Sequence, residues 1–266
     1  MKRKPFFVVS LFALTGLSMA AWGDEQLPLV LTILYDNYPF RPGLRTAWGF
    51  SCLVELGEQA ILFDTGGSAD ILLSNMRALG IDPGRIQKVV LSHIHGDHVG
   101  GLFGLLEENN AVTVYLPASF PKEFKERVRG SGARVVEVHG PMEIGEGVYS
   151  TGELGTWIKE QALVVESPEG LVVITGCAHP GIVQMVQKAK QIGKEKVHLV
   201  LGGFHMAGMP EARVRTVIEA FRALGVAQVA PCHCSGDLTR RLFQEAWGDG
   251  FDPAGVGWSI ELPSAP

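Results

Sequence analysis

Short apolar runs bounded by turn residues dominate the first part of the chain and read as strands. LPLVLTILYDN, GFSCLVELG and QAILFDTGG come first, and Gly57-Glu58 between the last two predicts a hairpin. ADILLSNMRALGI carries apolar residues at helical spacing and stops at Gly80, while KVVLS reads as a short buried strand. VGGLFGLLEEN predicts a helix, AVTVYLP a strand, and PKEFKERVRGSG a polar helix opened by proline. Strands follow in ARVVEVHG, EGVYSTGEL, ALVVESPEG and GLVVITGCAH, with SPEG as a tight turn. From Gly181 onward helices and strands alternate: GIVQMVQKAKQIG, KVHLVLGG, PEARVRTVIEAFRALG, VAQVAPCHC, DLTRRLFQEAWG and GWSIEL. No linker or low-complexity tract interrupts this order after residue 26. The pattern predicts one α/β domain over residues 24–266, with mixed sheets flanked by helices.

The N-terminus breaks the pattern. Lys2, Arg3 and Lys4 precede an apolar run from Phe6 to Leu17 that is too short to span a bilayer, and small residues follow in SMA and AWG. This predicts a secretory signal peptide over residues 1–23 and an exported protein, periplasmic or secreted. No cysteine follows the apolar run, so no membrane anchor is expected after cleavage. Residues 1–23 carry three basic and no acidic side chains, so their removal takes the net charge from −5 to −8. With that balance and no later Lys/Arg cluster, nucleic acid is not an expected partner. The expected partner is a small-molecule substrate, and monomer and dimer both stay open. Hydrophobic residues make up 46% of the chain, enough for a packed core.

The chemistry concentrates in LSHIHGDHVGG, directly behind KVVLS. His93, His95, Asp97 and His98 fall within six positions, and a strand end followed by a Gly-containing loop lets such closely spaced side chains turn toward one point. Imidazole and carboxylate suit zinc and other first-row divalent ions. Four candidate ligands exceed the three of an ordinary catalytic zinc site, which points to two metals about 3.5–4 Å apart sharing a hydroxide.

The run His93-x-His95-x-Asp97-His98, with ILFDTGG upstream, resembles the signature of the metallo-β-lactamase superfamily, and the resemblance covers about residues 27–264. It implies an αββα four-layer sandwich of two mixed β-sheets flanked by helices, with the site at one edge of the sheets. It further implies that His93 and His95 bind a first metal, that Asp97, His98 and His233 bind a second, and that Asp64 holds the motif loop from behind. This chain departs from the superfamily pattern at two ligands. Where a further histidine is usual it offers Glu153, and where a bridging aspartate is usual it offers Cys177, with His179 two residues on. Thiolate and imidazole are both good zinc ligands. His179 is therefore expected as a ligand, Cys177 next, and Glu153 as a weaker candidate; the alternative for Cys177 is a buried packing residue.

TGEL, Glu160-Gln161, ITGCAHPGI, LGGFHM and PCHCSG together resemble one subgroup, the family of 7,8-dihydropterin-6-methyl-4-(β-D-ribofuranosyl)aminobenzene-5'-phosphate synthase. Trp48 stands where that subgroup has histidine and Gly96 where it has tyrosine, so the pocket wall differs. Asp97 is expected to orient a hydroxide as well as bind metal. His205 is a candidate for contacting an anionic group or moving a proton, and Glu160 for touching substrate. Asp36 and Asn37 either line the site or shape a turn. Alternation along a strand excludes Cys232 and Cys234 as ligands beside His233, and His198 and His139 read as structural or surface residues. The expected cofactors are two divalent ions, zinc first, with Mn2+ or Fe2+ as alternatives. The expected function is a metal-dependent hydrolase acting on an ester-like or phosphoester substrate. The alternatives are a pyrophosphate-displacing transferase like the pterin synthase and a non-catalytic metal-binding module. β-Lactam hydrolysis is disfavoured by Glu153.

Overall fold

A computed structural model describes residues 28–193 and 196–263; the expected signal peptide lies outside the described residues. The chain opens with β1 (Leu29–Tyr35), β2 (Ser51–Leu56) and β3 (Gln59–Phe63), then α1 (Ala69–Leu79) and β4 (Lys88–Val90). A one-turn helix α2 (Gly96–Val99) and α3 (Leu102–Glu108) lead to β5 (Thr113–Pro117), α4 (Lys122–Gly130) and β6 (Arg134–Val138). Next come β7 (Met142–Gly145), β8 (Val148–Ser150), β9 (Leu163–Ser167), β10 (Gly170–Thr175) and α5 (Ile182–Gly193). The chain closes with β11 (Val197–Gly203), α6 (Glu211–Leu224), β12 (Gln228–Cys232), α7 (Asp237–Trp247) and β13 (Ser259–Leu262).

Two mixed sheets result, in the orders β13-β1-β2-β3-β4-β5-β6 and β12-β11-β10-β9-β8-β7. Alternating positions of β1, β2 and β3 (Leu31, Ile33, Cys52, Val54, Ile61, Phe63) meet Leu163, Val165, Val172, Ile174, Leu199 and Leu201 between the sheets. The opposite face of the first sheet packs under α1, α3 and α4, through Leu72, Met76, Leu102, Leu105 and Val128. The outer face of the second sheet packs under α5, α6 and α7, through Met185, Val214, Phe221 and Phe243. β10 is buried along its whole length, which is why its sequence runs apolar without alternation. The molecule is thus the four-layer αββα sandwich.

One expectation is corrected and one strand is added. EGVYSTGEL is not one strand: β8 stops at Ser150, and Gly152 turns the chain at φ 74°, where a Cβ would collide with the backbone of Gly140. The segment before it, which carried no strand signal, forms β7 as the edge of the second sheet and pairs antiparallel with β8.

In the first sheet β3 and β4 run parallel, and β1 points the same way through two antiparallel steps. In the second sheet β10, β11 and β12 are parallel. Their carboxyl ends gather at one edge, where open α/β sheets place ligand sites.

Candidate metal centre

The turns that carry the functional side chains are strained in a shared way. Among the described residues, the non-glycine residues with positive φ are Asp64 (57°), Ala178 (65°), His205 (53°) and His233 (48°). They follow the ends of β3, β10, β11 and β12. Left-handed backbone costs an L-residue about 1–2 kcal/mol, and such strain clusters at functional sites. Two glycines let the strand ends approach. A Cβ on Gly176 would strike Ser92 Oγ, and one on Gly203 would strike the carbonyl of Gly176 and lie 2.7 Å from Cys234 Sγ.

His93, His95 and His179 form a first donor group, with their ligand atoms all within 4.8 Å of one another. Ser92 Oγ donates to Asp64 Oδ2 at 2.6 Å, so its one proton is committed. His93 Nδ1 lies 2.9 Å from the same Oγ and must donate to it, which leaves Nε2 as the free lone pair. His93 Nε2 is buried and finds no hydrogen-bond partner among the described residues. Burial, reinforced by His98, pushes the His93 pKa down to about 2, so this imidazole is neutral and fit to ligate. His179 Nδ1 lies 2.8 Å from the Glu160 Oε2 acceptor, which leaves Nε2 as its lone pair.

Asp97, His98, Cys177 and His233 form a second group beside the first. The rings of His93 and His98 lie 4.2 Å apart. His98 Nδ1 donates to Asp64 Oδ2 at 2.7 Å, turning Nε2 toward Cys177 Sγ at 3.2 Å. His233 Nδ1 lies 3.2 Å from Asn37 Oδ1, with Nε2 at 3.4 Å from both Cys177 Sγ and Asp97 Oδ2. Asp36 Oδ2 accepts from the backbone N–H of His233 at 3.1 Å and fixes that turn. Asn37 and Asp36 therefore position a candidate ligand as well as shaping a turn.

The pocket is built for positive charge. Burial opposes ionisation of Asp97, yet hydrogen bonds from His233 and His98 hold its carboxyl well below the usual range. Burial alone would lower the His98 pKa, but the Asp64 and Asp97 carboxylates raise it to about 10. A cation among these groups would replace the proton they otherwise hold. Imidazole nitrogens, a carboxylate and a thiol, once such a proton is displaced, fit a divalent first-row ion.

Three sequence expectations change. Glu160, a candidate for touching substrate or metal, has no oxygen left for either: it is fully buried, Oε1 accepts from the N–H groups of Cys177 and Ala178, and Oε2 accepts from His179 N and Nδ1. It is a carboxylate saturated by the loop it shapes. Glu153 accepts from Ser119 N at 2.6 Å and lies outside every donor group found among the described residues. Cys234, excluded by strand alternation, joins Cys177 and His205 in a third group. The strand ends at Cys232, so alternation no longer governs residue 234. The Cys177–Cys234 contact lowers the Cys234 thiol and raises that of Cys177. His205 is exposed, with its ring 4.4 Å from that of His179. His139 is exposed, and His198 sits in β11 beside Glu169, away from the centre.

Two surfaces flank the groups. Trp48, 56% exposed, lies 4.9 Å from the His233 ring. A pocket of about 410 Å³ opens beside His179, lined also by Gly155, Thr156, Trp157, Ile158, Pro180 and Gln184.

The chain is similar over most of its length to a 7,8-dihydropterin-6-methyl-4-(beta-D-ribofuranosyl)-aminobenzene-5'-phosphate synthase from Methanocaldococcus jannaschii, at 29% identity over 282 residues, 88% of this chain and 96% of that protein. A solved structure described as a metal-dependent hydrolase of the beta-lactamase superfamily, Tm1679, matches with a TM-score of 0.75 and 29% identity, covering 89% of this chain and all (100%) of that one. YhfI from Bacillus subtilis, a metallo-beta-lactamase fold protein, matches in fold with a TM-score of 0.69 at 15% identity, covering 89% and 100% of the two chains. The family model of the metallo-beta-lactamase superfamily matches residues 49–187, a span that includes Asp64, the His93–His98 motif, Cys177 and His179. With that match over half its length, and with the four-layer sandwich carrying the motif at its edge, the chain belongs to the metallo-β-lactamase superfamily.

Proposed function

We propose that this protein is a metal-dependent hydrolase of ester-like or phosphoester substrates, with one divalent ion in each of the first two donor groups. The observation that carries this reading is the common orientation of four imidazoles. His93, His98, His179 and His233 each engage a separate acceptor through Nδ1 and turn Nε2 inward. Histidines that merely pack or solvate have no need of one shared orientation, whereas metal-ligating histidines are held this way. Divalent ions in these groups would supply Lewis acidity and bring the pKa of a bound water near 7.

The chain's own residues then divide the work. His93, His95 and His179 hold one side, and Asp97, His98, Cys177 and His233 hold the other. Asp97, kept ionised, accepts a hydrogen bond from the attacking water and aims it at the scissile centre, and the proton the water loses as its oxygen bonds there passes by way of Asp97 to solvent. The exposed face of Trp48 and the pocket beside His179 bound the space for substrate. As the bond to the leaving group breaks, the leaving oxygen takes up a proton from solvent at this open edge.

A second reading, transfer with displacement of pyrophosphate, is favoured by the likeness to the M. jannaschii synthase. Trp48 and Gly96 alter the pocket wall relative to that subgroup, and the secretory pattern at residues 1–23 would separate the protein from cytosolic pterins. Both support hydrolysis. The discriminating assay gives the metal-loaded protein a phosphodiester and ester panel, and in parallel a dihydropterin pyrophosphate with an arylamine. Hydrolysis that disappears on chelation and returns with Zn2+ or Mn2+ is the expected outcome. A coupled pterin–arylamine product without panel turnover would overturn it, and bound metal with neither activity would make the protein a binding module.

A further inference from the structure

The two groups above leave His205 and Cys234 unused, and these two share Cys177 as a third set of donors. Their ligand atoms and Cys177 Sγ lie within 4.8 Å of one another. The three residues follow the ends of three adjacent parallel strands, β10, β11 and β12. The local backbone is shaped around them. His205 is held left-handed at φ 53°, and Gly203 lacks the Cβ that would lie 2.7 Å from Cys234 Sγ. Both thiols are buried while His205 is exposed, so the set is closed by sulfur on the inside and open toward solvent. The Cys177 sulfur belongs to two donor groups. It lies 3.2 Å from His98 Nε2 and 3.4 Å from His233 Nε2, and within 4.8 Å of the donor atoms of Cys234 and His205.

The chemistry of this set differs from that of its neighbours. Two thiols and one imidazole with an open fourth direction are a soft donor set, the composition of a Cys2His zinc site. The first group has no sulfur and the second has one. Thiols bind as thiolates, so a cation here would sit against two negative sulfurs, with the Glu160 carboxylate close behind.

We propose that Cys177, His205 and Cys234 form a further cation position, selective for a thiophilic ion such as Zn2+ or Cd2+, in which the Cys177 thiolate bridges to the second group. It goes beyond the hydrolase reading and shares only Cys177 with the machinery assigned there. Cys52 and Cys232 lie in the inter-sheet core and take no part.

The test uses metal-stripped full-length protein titrated with Co2+, whose thiolate-to-metal charge-transfer absorption grows with the number of metal–sulfur bonds. At saturation, Cys234→Ser is expected to lose about one third of the wild-type absorption if the third ion stays and about two thirds if it leaves, and His205→Gln to weaken the last-bound equivalent about tenfold against a competing chelator. The equivalents bound first, and phosphoester turnover, are read separately, so failure here is distinguishable from failure of the hydrolase reading. Wild-type absorption in a folded Cys234→Ser protein would overturn the proposal. Cadmium NMR on the unaltered protein covers the case in which that variant does not fold. A resonance shifted downfield by two sulfurs is expected. Its absence, with cadmium bound only at one-sulfur or sulfur-free positions, would equally overturn the proposal and return His205 to substrate contact or proton transfer.

Discussion

Glu160 shows how much of the centre depends on groups that touch no substrate. Its two oxygens accept four hydrogen bonds, three from consecutive backbone N–H groups of the Cys177–His179 loop and one from His179 Nδ1. Burial would push its carboxyl up, but His179, His93 and the backbone donors hold it well below the usual range. Glu160→Gln keeps the shape, removes the charge and turns an amide donor toward groups that are themselves donors. The expected result is a folded protein whose first donor group binds metal about 10–100-fold more weakly, read by competition with a chelator. Unchanged affinity would mean that Glu160 only closes the loop. The candidate ligands were legible because HIHGDH packs four of them into six residues. Of their supporting partners Asp64 was expected from the resemblance and does accept from His98 and Ser92, whereas Asn37 meets His233 across 196 residues and Glu160 meets His179 across 19, and neither of these pairs leaves a local pattern. Cys234 was misread because the alternation rule was carried past the end of the strand.

Strands and helices were easier to read where packing agreed with local period. β10 and β11 are buried throughout, and apart from His198 and Thr175 they carry only apolar residues and glycine. α6 and α7 were readable from residues spaced to face the sheet, and they meet in an aromatic cluster. The Phe243 ring lies 5.5 Å from Phe204 and 5.6 Å from Phe221, and stacks on Trp247 at 5.2 Å. These contacts hold the helices that follow the His205 and His233 turns. Phe243→Ala should therefore cost about 3–5 kcal/mol of stability, measured by denaturant unfolding, while the folded fraction keeps its metal content. A cost below about 1 kcal/mol would mean the cluster relaxes to fill the space. β7 escaped because an edge strand of four residues, half-exposed and ending in Gly145-Glu146-Gly147, carries turn chemistry rather than a strand period.

The whole molecule is two sheets whose site residues are divided between them. His93, His95, Asp97 and His98 belong to the β4–α2 side of the first sheet, and Cys177, His179 and His233 to the second. Each of the first two groups draws donors from both sheets. Ions bound there would tie the halves together and stabilise the native state by mass action, about 4 kcal/mol at a thousandfold excess over Kd. Chelation should lower the melting temperature, and Zn2+ or Mn2+ should restore it; an unmoved midpoint would place the ions outside the inter-sheet edge. The most direct measurement is an anomalous difference map from zinc-soaked crystals of the protein. One peak about 2.0–2.3 Å from His93, His95 and His179 nitrogens, and a second at the same range from Asp97, His98, Cys177 and His233, is the expected result, with the further position proposed at Cys177, His205 and Cys234 as a third. No peak in either group would contradict the metal centre on which the proposed hydrolysis rests.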